Sequence, residues 1–363
     1  MADILTVEVN KTGVLPFARF MELALYCPDY GFYERDRDSV GRAGDFYTSV
    51  SVGALFGELL AFQFAGWLAK LQVPNSKFQI VEAGAHDGRL AKDVLGWLRA
   101  RRPETFKALD YCIVEPSPRR QAWQRETFAE FSGQVRWVAG LADLGVVNGV
   151  IFSNELLDAF PVHRLGWDAA EKRWFEWGVA VAGGEFIWAR MPPAKIPNSE
   201  FRIPNLPHDL LEVLPDGFTT EICPAAETWW RSAAGVLQRG KLLTIDYGLT
   251  AEEFFHPRRQ HGTLRTYRRH QVGMDVLENA GEQDITAHVN FTALQSAGEA
   301  AGLQTEVFAT QAKFLTGIAG KIWRAPETFG GWTAAHTRQF QTLTHPEHLG
   351  RPFRALVQAR PPG

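Results

Sequence analysis

Acidic side chains follow three apolar stretches of the chain, at the positions where buried strands would end. Glu82 and Glu115 each close one apolar run, and Glu155 and Asp158 follow a third. Because the carboxyl ends of parallel strands meet at one edge of a sheet, we expect these carboxylates to share a crevice. An acid after the second strand can hold both ribose hydroxyls of a nucleoside. Acids beside a reacting group can orient it and take its proton.

A turn that contains two glycines connects the first strand to a helix. Gly84 and Gly88 bracket the turn, and apolar residues recur at helical spacing from Leu90 onward. Backbone N–H groups at such a helix start can bind a ligand, and a side chain at Gly84 would block its close approach. The turn by itself is also compatible with an ordinary loop. Its combination with Glu115, one βαβ unit later, favours a nucleoside cofactor.

Two other side chains are candidates for the same crevice. Leu141 lies in the loop after the third strand, which is well placed to border an adenine ring, and Asn154 directly precedes Glu155. His288 could act as a base, although a single histidine is more often a structural hydrogen-bonding group. Glu155 or Asp158 could also simply cap the next helix.

Apolar strands alternate with helical segments after residue 76, which predicts an α/β fold with a parallel sheet and right-handed crossovers. The strands are predicted at 78–82, 110–115, 135–138, 149–153 and 241–245, and the helices at 89–101, 117–131, 219–239 and 291–301. Two further strands, near 303–309 and 354–360, are expected to finish the sheet as an antiparallel edge pair.

Two segments stand apart from this alternation. Residues 1–75 are predicted to form an N-terminal helical cap, with helices at 14–26 and 52–71. Residues 163–218 alternate tryptophans with charged residues, which predicts an inserted, β-rich substrate arm. The ranges 76–162 and 219–363 then form the core.

A polar stretch precedes the second predicted helix and contains Gly44, Asp45 and Thr48. Asp45 and Thr48 are types that cap helices. Alternatively, this stretch covers the crevice as a lid, with all three residues near the cofactor.

Composition excludes some classes of protein. The 363 residues carry a formal net charge of −3, which argues against a general nucleic-acid binder. The three cysteines show no metal-ligand spacing and predict free thiols in a reducing compartment. No apolar run is long enough to span a membrane. We therefore expect a cytoplasmic protein without a metal site, and a homodimer is one option for its oligomeric state.

Several motifs together resemble the MidA-like family of S-adenosylmethionine-dependent methyltransferases, which includes relatives of the mitochondrial arginine methyltransferase that assists complex I assembly. The matching stretches are 25–33, 44–49, 56–58, 82–88, 153–162, 245–248, 262–265 and 286–291. The resemblance implies a class I, Rossmann-like methyltransferase sheet, S-adenosylmethionine as cofactor, and methyl transfer to a protein arginine. The family commonly has a glycine at the position of His86, and a proline and a glutamate at those of Val50 and Ser51.

The residues receive separate roles in this hypothesis. Glu155 and Asp158, with Asp45 as a third acid, orient and deprotonate the acceptor, whereas Glu115 holds the ribose. The glycine turn faces the methionine end of the cofactor. A small-molecule O- or N-methyltransferase, a nicotinamide-dependent oxidoreductase and a non-catalytic cofactor-binding assembly factor are the alternatives.

Overall fold

The computed structural model describes residues 1–35, 48–71, 77–192, 208–268 and 271–361. Its strands are β1 (Leu15–Pro16), β2 (Phe78–Ala83), β3 (Leu109–Val114), β4 (Val135–Val138), β5 (Val147–Asn154), β6 (His163–Asp168), β7 (Arg173–Ala182), β8 (Glu185–Arg190), β9 (Thr219–Ile222), β10 (Leu237–Leu249), β11 (Arg265–Arg268), β12 (Gln271–Gly273), β13 (Asp284–Thr286), β14 (Val289–Asn290), β15 (Gln304–Thr310) and β16 (Phe353–Arg360). Its helices are α1 (Ala2–Thr12), α2 (Phe17–Tyr26), α3 (Phe32–Arg35), α4 (Leu55–Leu68), α5 (Arg89–Arg101), α6 (Pro103–Lys107), α7 (Pro118–Thr127), α8 (His208–Leu211), α9 (Pro224–Val236), α10 (Ala251–Phe254), α11 (Phe291–Ala300), α12 (Gln311–Arg324) and α13 (Ala334–Thr344).

The central sheet has the strand order β15-β16-β10-β5-β2-β3-β4, and the short strand β14 pairs in parallel with the end of β10. Strands β4, β3, β2, β5 and β10 run parallel, whereas β16 is antiparallel to both of its neighbours. The predicted edge pair is therefore confirmed. After β2 the chain forms β3 and β4 on one side of that strand and then β5 on its other side. At such a reversal of strand order a crevice opens at the carboxyl ends of the two central strands, here β2 and β5.

Helices cover both faces of this sheet. Neighbouring strand residues alternate between the two faces, so Ile80 joins one apolar cluster and Val81 the other. The first cluster includes α4, α5 and α12, and the second includes α9 and α11. Helix α4 is buried on most sides because Phe64 packs against Phe152 of β5 while α5 and α12 contact its flanks.

A second, antiparallel sheet carries the predicted arm. Strand β7 pairs with β6, β8 and β1, and β6 also pairs with β9. Two predicted helices were therefore too long. The helix expected over 14–26 begins at Phe17 because Leu15–Pro16 pairs with β7. The helix expected over 219–239 is Pro224–Val236, because Thr219–Ile222 pairs with β6 and Leu237 begins β10.

The N-terminal helices pack on this second sheet. Phe17 lies 4.9 Å from Trp188 of β8, ring centre to ring centre, and α1 and α2 share an apolar cluster with β7. Helix α4, also inside the predicted cap, packs instead on the central sheet. The boundaries of cap, core and arm stay predictions. Among the described helices, none has the length and apolar character of a membrane span.

A small sheet of order β12-β11-β13 adjoins the end of β5. The backbone N–H of Ala287, directly after β13, donates to the carbonyl oxygen of Asp158 at 2.9 Å. The hydroxyl of Tyr33 in α3 donates to Asp284 in β13 at 2.8 Å. These two bonds bring the N-terminal segment and the small sheet to the edge where the crevice opens.

Candidate functional site

A cavity of about 1590 Å³ lies at the carboxyl ends of β2, β3 and β5. Most of the predicted site residues line it: Thr48, Glu82, Gly84, Glu115, Leu141, Asn154 and Glu155. Typical small-molecule sites occupy about 300–1,000 Å³. The cavity therefore has room for a second ligand beside a nucleoside.

The turn after β2 requires residues that tolerate positive φ. Gly84 has φ +76°, and a Cβ there would lie 2.8 Å from Cδ1 of Leu156. Gly88 has φ +86° and a Cβ there would collide with Phe128, so this glycine permits packing and does not line the cavity. His86 also has a positive φ of 45°. Glycine adopts this conformation without strain, which explains a preference for glycine at that position.

Glu115 is held at the predicted ribose position. Its Oε1 accepts the backbone N–H of Ser117 at 2.9 Å, and its Oε2 accepts Nε2 of Gln124 at 3.3 Å. Nε of Arg120 lies 3.3 Å from Oε1. An ionised carboxylate has about four acceptor positions. Glu115 therefore retains acceptor capacity for hydroxyl groups in the cavity.

Glu82 is buried in the wall of the cavity. The hydroxyl of Tyr111 donates to its Oε2. Burial raises the pKa of the Glu82 carboxyl to about 7, although the Tyr111 bond opposes the shift. This acid is thus neutral in a large fraction of molecules near pH 7.

Asn154 ends β5, and Glu155 directly follows it with a strained backbone. Glu155 has φ +51°, and its Oε1 accepts the backbone N–H of Ser49 at 3.1 Å and Nδ2 of Asn154 at 3.0 Å. Burial raises the pKa of Glu155 to about 7. Among the described residues, the buried Oδ1 of Asn154 has no hydrogen-bond partner. That oxygen can accept a bond from a ligand.

Thr48 lines the cavity, and its Oγ1 accepts a hydrogen bond from the backbone N–H of Ser51 at 3.1 Å. It does not cap α4, because the N-cap of that helix is Ala54. Gly44 and Asp45 lie outside the described residues, so their predicted roles stay predictions.

Three aspartates adjoin Glu155. Asp246, inside the last part of β10, accepts hydrogen bonds from the backbone N–H groups of Leu156 at 3.1 Å and Leu157 at 2.8 Å. Burial raises the pKa of Asp158 well above its ordinary value, and the charges of Asp246, Asp284 and Glu155 raise it further. Asp158 does not itself line the cavity. It is partly exposed and directly precedes Ala159 and Phe160, which do line the cavity.

Asp246 and Asp284 were absent from the residues predicted for the site. A signal existed for Asp246, which follows an apolar run as Glu82 and Glu115 do. No comparable signal marks Asp284, because the small sheet brings it to the site. We name the set Glu155, Asp158, Asp246 and Asp284 the acid cluster. Across the described ranges, no three His, Cys, Asp or Glu side chains are arranged to hold a metal ion.

The geometry fits a sulfonium nucleoside. The turn at Gly84 leaves backbone exposed to the cavity, Glu115 offers acceptors for ribose hydroxyls, and Asn154 offers a buried acceptor for an ammonium group. Leu141 is buried beside the cavity, where an apolar ring can pack.

Residues 59–309 match the model of a family described as "Putative S-adenosyl-L-methionine-dependent methyltransferase". Curated relatives include the mitochondrial protein arginine methyltransferase NDUFAF7 homolog of Drosophila melanogaster, which is 28% identical over 83% of this chain and 70% of that protein. Human mitochondrial protein arginine methyltransferase NDUFAF7 is 28% identical over 80% of this chain and 67% of that protein.

A solved structure is similar over almost the whole chain. It is a Burkholderia thailandensis protein crystallised with S-adenosyl-homocysteine, 30% identical, with a TM-score of 0.83 over 99% of this chain and 91% of that one. A native crystal structure from the same organism, also 30% identical, has a TM-score of 0.80 with the same coverage.

Proposed function

The chain belongs to the family of S-adenosyl-L-methionine-dependent methyltransferases, and on that premise we propose that it methylates a guanidinium nitrogen of a protein arginine. The predicted fold class, enzyme class and cofactor are confirmed by these comparisons. Membership of this family favours methyl transfer over the two alternatives, a nicotinamide-dependent oxidoreductase and a non-catalytic assembly factor. The arginine acceptor is the part that we propose, and it is supported by the names of the NDUFAF7 relatives, which are called protein arginine methyltransferases.

The observation that carries the proposal is the acid cluster beside the cavity. Glu155 lines the cavity, and burial raises its pKa, with a further contribution from the charges of Asp246 and Asp284. Buried acids that repel one another gain stability when a cation lies among them. A guanidinium group is cationic and presents several donors to carboxylates. The cluster therefore favours a cationic acceptor over a neutral hydroxyl group.

The proposed roles divide between two parts of the cavity. The bound cofactor supplies a methyl group that its sulfonium already activates. Gly84, Glu115, Leu141 and Asn154 would hold that cofactor, with Thr48 beside it. Gly88 supports the turn from outside the wall, and Glu82 lies within the wall.

The acids would act on the acceptor. Glu155 lies in the cavity wall and would contact the guanidinium, orient one nitrogen and accept a proton. Asp158 does not line the cavity, and a cation bound beside Glu155 would lower its raised pKa and favour its ionised form. Asp246 would shape the strand end, since it binds the backbone N–H groups of Leu156 and Leu157.

Labelled cofactor tests the acceptor. The protein is incubated with extract from its host and S-adenosylmethionine carrying a labelled methyl group, and protein and small molecules are then separated. We expect the label in methylarginine after hydrolysis of the protein fraction. Glu155→Gln is the control and should abolish that label. Label confined to small molecules would reject the arginine proposal and favour the metabolite methyltransferase.

We propose separately that the protein works in the cytoplasm. Cys27, Cys112 and Cys223 are all free thiols, which supports a reducing compartment such as the cytoplasm. The NDUFAF7 relatives are named as mitochondrial proteins. A homodimer and the absence of a nucleic-acid partner stay predictions.

A further inference from the structure

Helix α3 contributes a carboxylate to the cofactor side of the cavity. Glu34 is 7% exposed, and it lines the cavity although it lies 81 positions before Glu115 in the chain. Its Oε2 accepts Oγ of Ser117 at 2.8 Å. Its Oε1 lies 3.3 Å from Nη2 of Arg120. Glu34 directly follows the matching stretch 25–33 in the sequence.

Arg120 lies between two carboxylates. Nη2 faces Glu34 and Nε faces Glu115, each at 3.3 Å from one carboxylate oxygen. The side chain of Arg120 is 13% exposed, so water screens these interactions weakly. A guanidinium group prefers two parallel hydrogen bonds to a single carboxylate. The presence of Glu34 opposes that arrangement at Glu115.

We propose that Glu34 is a positioning residue for the cofactor: it holds Arg120 away from a bidentate pair with Glu115, so that Glu115 keeps acceptor positions for the ribose hydroxyls. This inference rests on the proposed function, in which Glu115 binds the ribose. Without the Glu34 charge, Arg120 turns toward Glu115 and competes with the hydroxyl groups. The cofactor then binds more weakly.

A second set of hydrogen bonds allows the effect of the Glu34 charge to be distinguished from the effect of simply linking α3 to α7. Arg119 donates to the backbone carbonyl oxygens of Glu34 and Arg35, and these bonds tie α3 to α7 without involving a carboxylate of the site. If Glu34 acts only as a tether, loss of Arg119 should have the same consequence as loss of the Glu34 charge.

Calorimetric titration of the cofactor-free protein with S-adenosyl-homocysteine tests the inference. Glu34→Gln keeps the size of the side chain and an oxygen for Ser117, and we expect its Kd to rise about tenfold. Arg119→Gln is the matched control, with an expected rise of less than about twofold. At saturating cofactor, methyl transfer by Glu34→Gln should stay within about twofold of the wild type, because the acid cluster is intact.

The outcomes separate the two proposals. A wild-type protein that fails to bind S-adenosyl-homocysteine would reject the proposed function itself. Wild-type affinity in Glu34→Gln, or an equal loss of affinity in Arg119→Gln, would overturn the role of Glu34 alone. If Glu34→Gln does not fold by circular dichroism, Glu34→Asp replaces it: this variant moves the charge back by one methylene, and unchanged affinity there would also overturn the role.

Discussion

The hydroxyl of Tyr33 donates to Oδ1 of Asp284 at 2.8 Å, across 251 positions of sequence. The next residue, Glu34, faces Arg120 beside the predicted ribose site. Both side chains of α3 line the cavity, and Tyr33 contacts the acid cluster proposed for the acceptor whereas Glu34 contacts Arg120 beside the proposed ribose site. This arrangement makes α3 part of the site, although it lies far from the glycine turn in sequence.

Tyr33→Phe should impair the acceptor half alone. The variant removes a hydrogen bond to a buried carboxylate, which costs roughly 1–3 kcal/mol, so Asp284 is expected to shift and turnover to fall about tenfold. Cofactor affinity should change by less than about twofold, because Glu34 and Arg120 are intact. Tyr30→Phe is the control, since Tyr30 is 51% exposed. Equal loss of cofactor affinity in Tyr33→Phe would contradict this division of the cavity.

The pH dependence of methyl transfer should report Glu155. Burial raises its pKa to about 7, and the ionised form is the one that attracts a cationic acceptor. The acceptor kcat/KM is therefore expected to rise with pH through about 7 and to level off above it. The charges of Asp246 and Asp284 contribute to the apparent pKa of this limb, because these acids interact with Glu155.

Glu155→Gln supplies the comparison for that profile. It should lower kcat/KM by about 100-fold or more and remove the rise near pH 7. Glu104→Gln, on the surface of α6, should leave the profile unchanged. Persistence of the limb in Glu155→Gln would assign it to another group.

Glu82 should make stability depend on pH. Its pKa is about 7 in the folded protein and 4.5 as an ordinary value, so the folded state keeps a proton that the unfolded state loses. The resulting stabilisation is complete below about pH 4.5 and is lost as the pH rises through about 7. In cofactor-free protein, the stability of Glu82→Gln relative to the wild type should therefore increase with pH.

Thermal and urea unfolding at several pH values measure that difference. Between about pH 5 and 7 it should grow by on the order of 1 kcal/mol per pH unit. The exposed control Glu104→Gln should show a constant difference. A constant difference for Glu82→Gln as well would mean that its carboxyl titrates normally.

Two glycines on either side of the start of α5 should respond oppositely to alanine. Gly84→Ala places a Cβ against Leu156 at positive φ, and it should cost about 1–2 kcal/mol of stability and weaken binding of S-adenosyl-homocysteine. Gly96 lies inside α5 with no heavy atom within 4 Å of an added Cβ. Gly96→Ala should therefore stabilise by about 0.5–1 kcal/mol and leave binding unchanged. Weakened binding in both variants would indicate a general effect of alanine in this region.

The central sheet could be predicted because each strand is a bounded apolar run. The runs predicted at 78–82 and 135–138 agree with β2 and β4 to within one residue. Strand β1 could not be found in this way, since its two residues contain no periodicity and it forms only by pairing with β7. Proline at position 16 also made a helix start there a reasonable prediction.

The candidate site divides in the same way. Acids at strand ends could be predicted from the sequence, and Glu115 and Glu155 do lie at one cavity. Asp284 and Glu34 reach it through tertiary contacts that connect distant parts of the chain. Hydrophobic periodicity describes one element at a time and contains no information about such contacts.

The central claim is that cofactor binding and acceptor chemistry use different acids in one cavity. Titration of Glu115→Ala and Glu155→Gln with S-adenosyl-homocysteine, under identical conditions, tests it most directly. We expect Glu115→Ala to bind at least about tenfold more weakly than the wild type, and Glu155→Gln to bind within about twofold of it while its kcat/KM for methyl transfer falls by about 100-fold or more. Normal binding by Glu115→Ala, or loss of binding by Glu155→Gln, would contradict the claim.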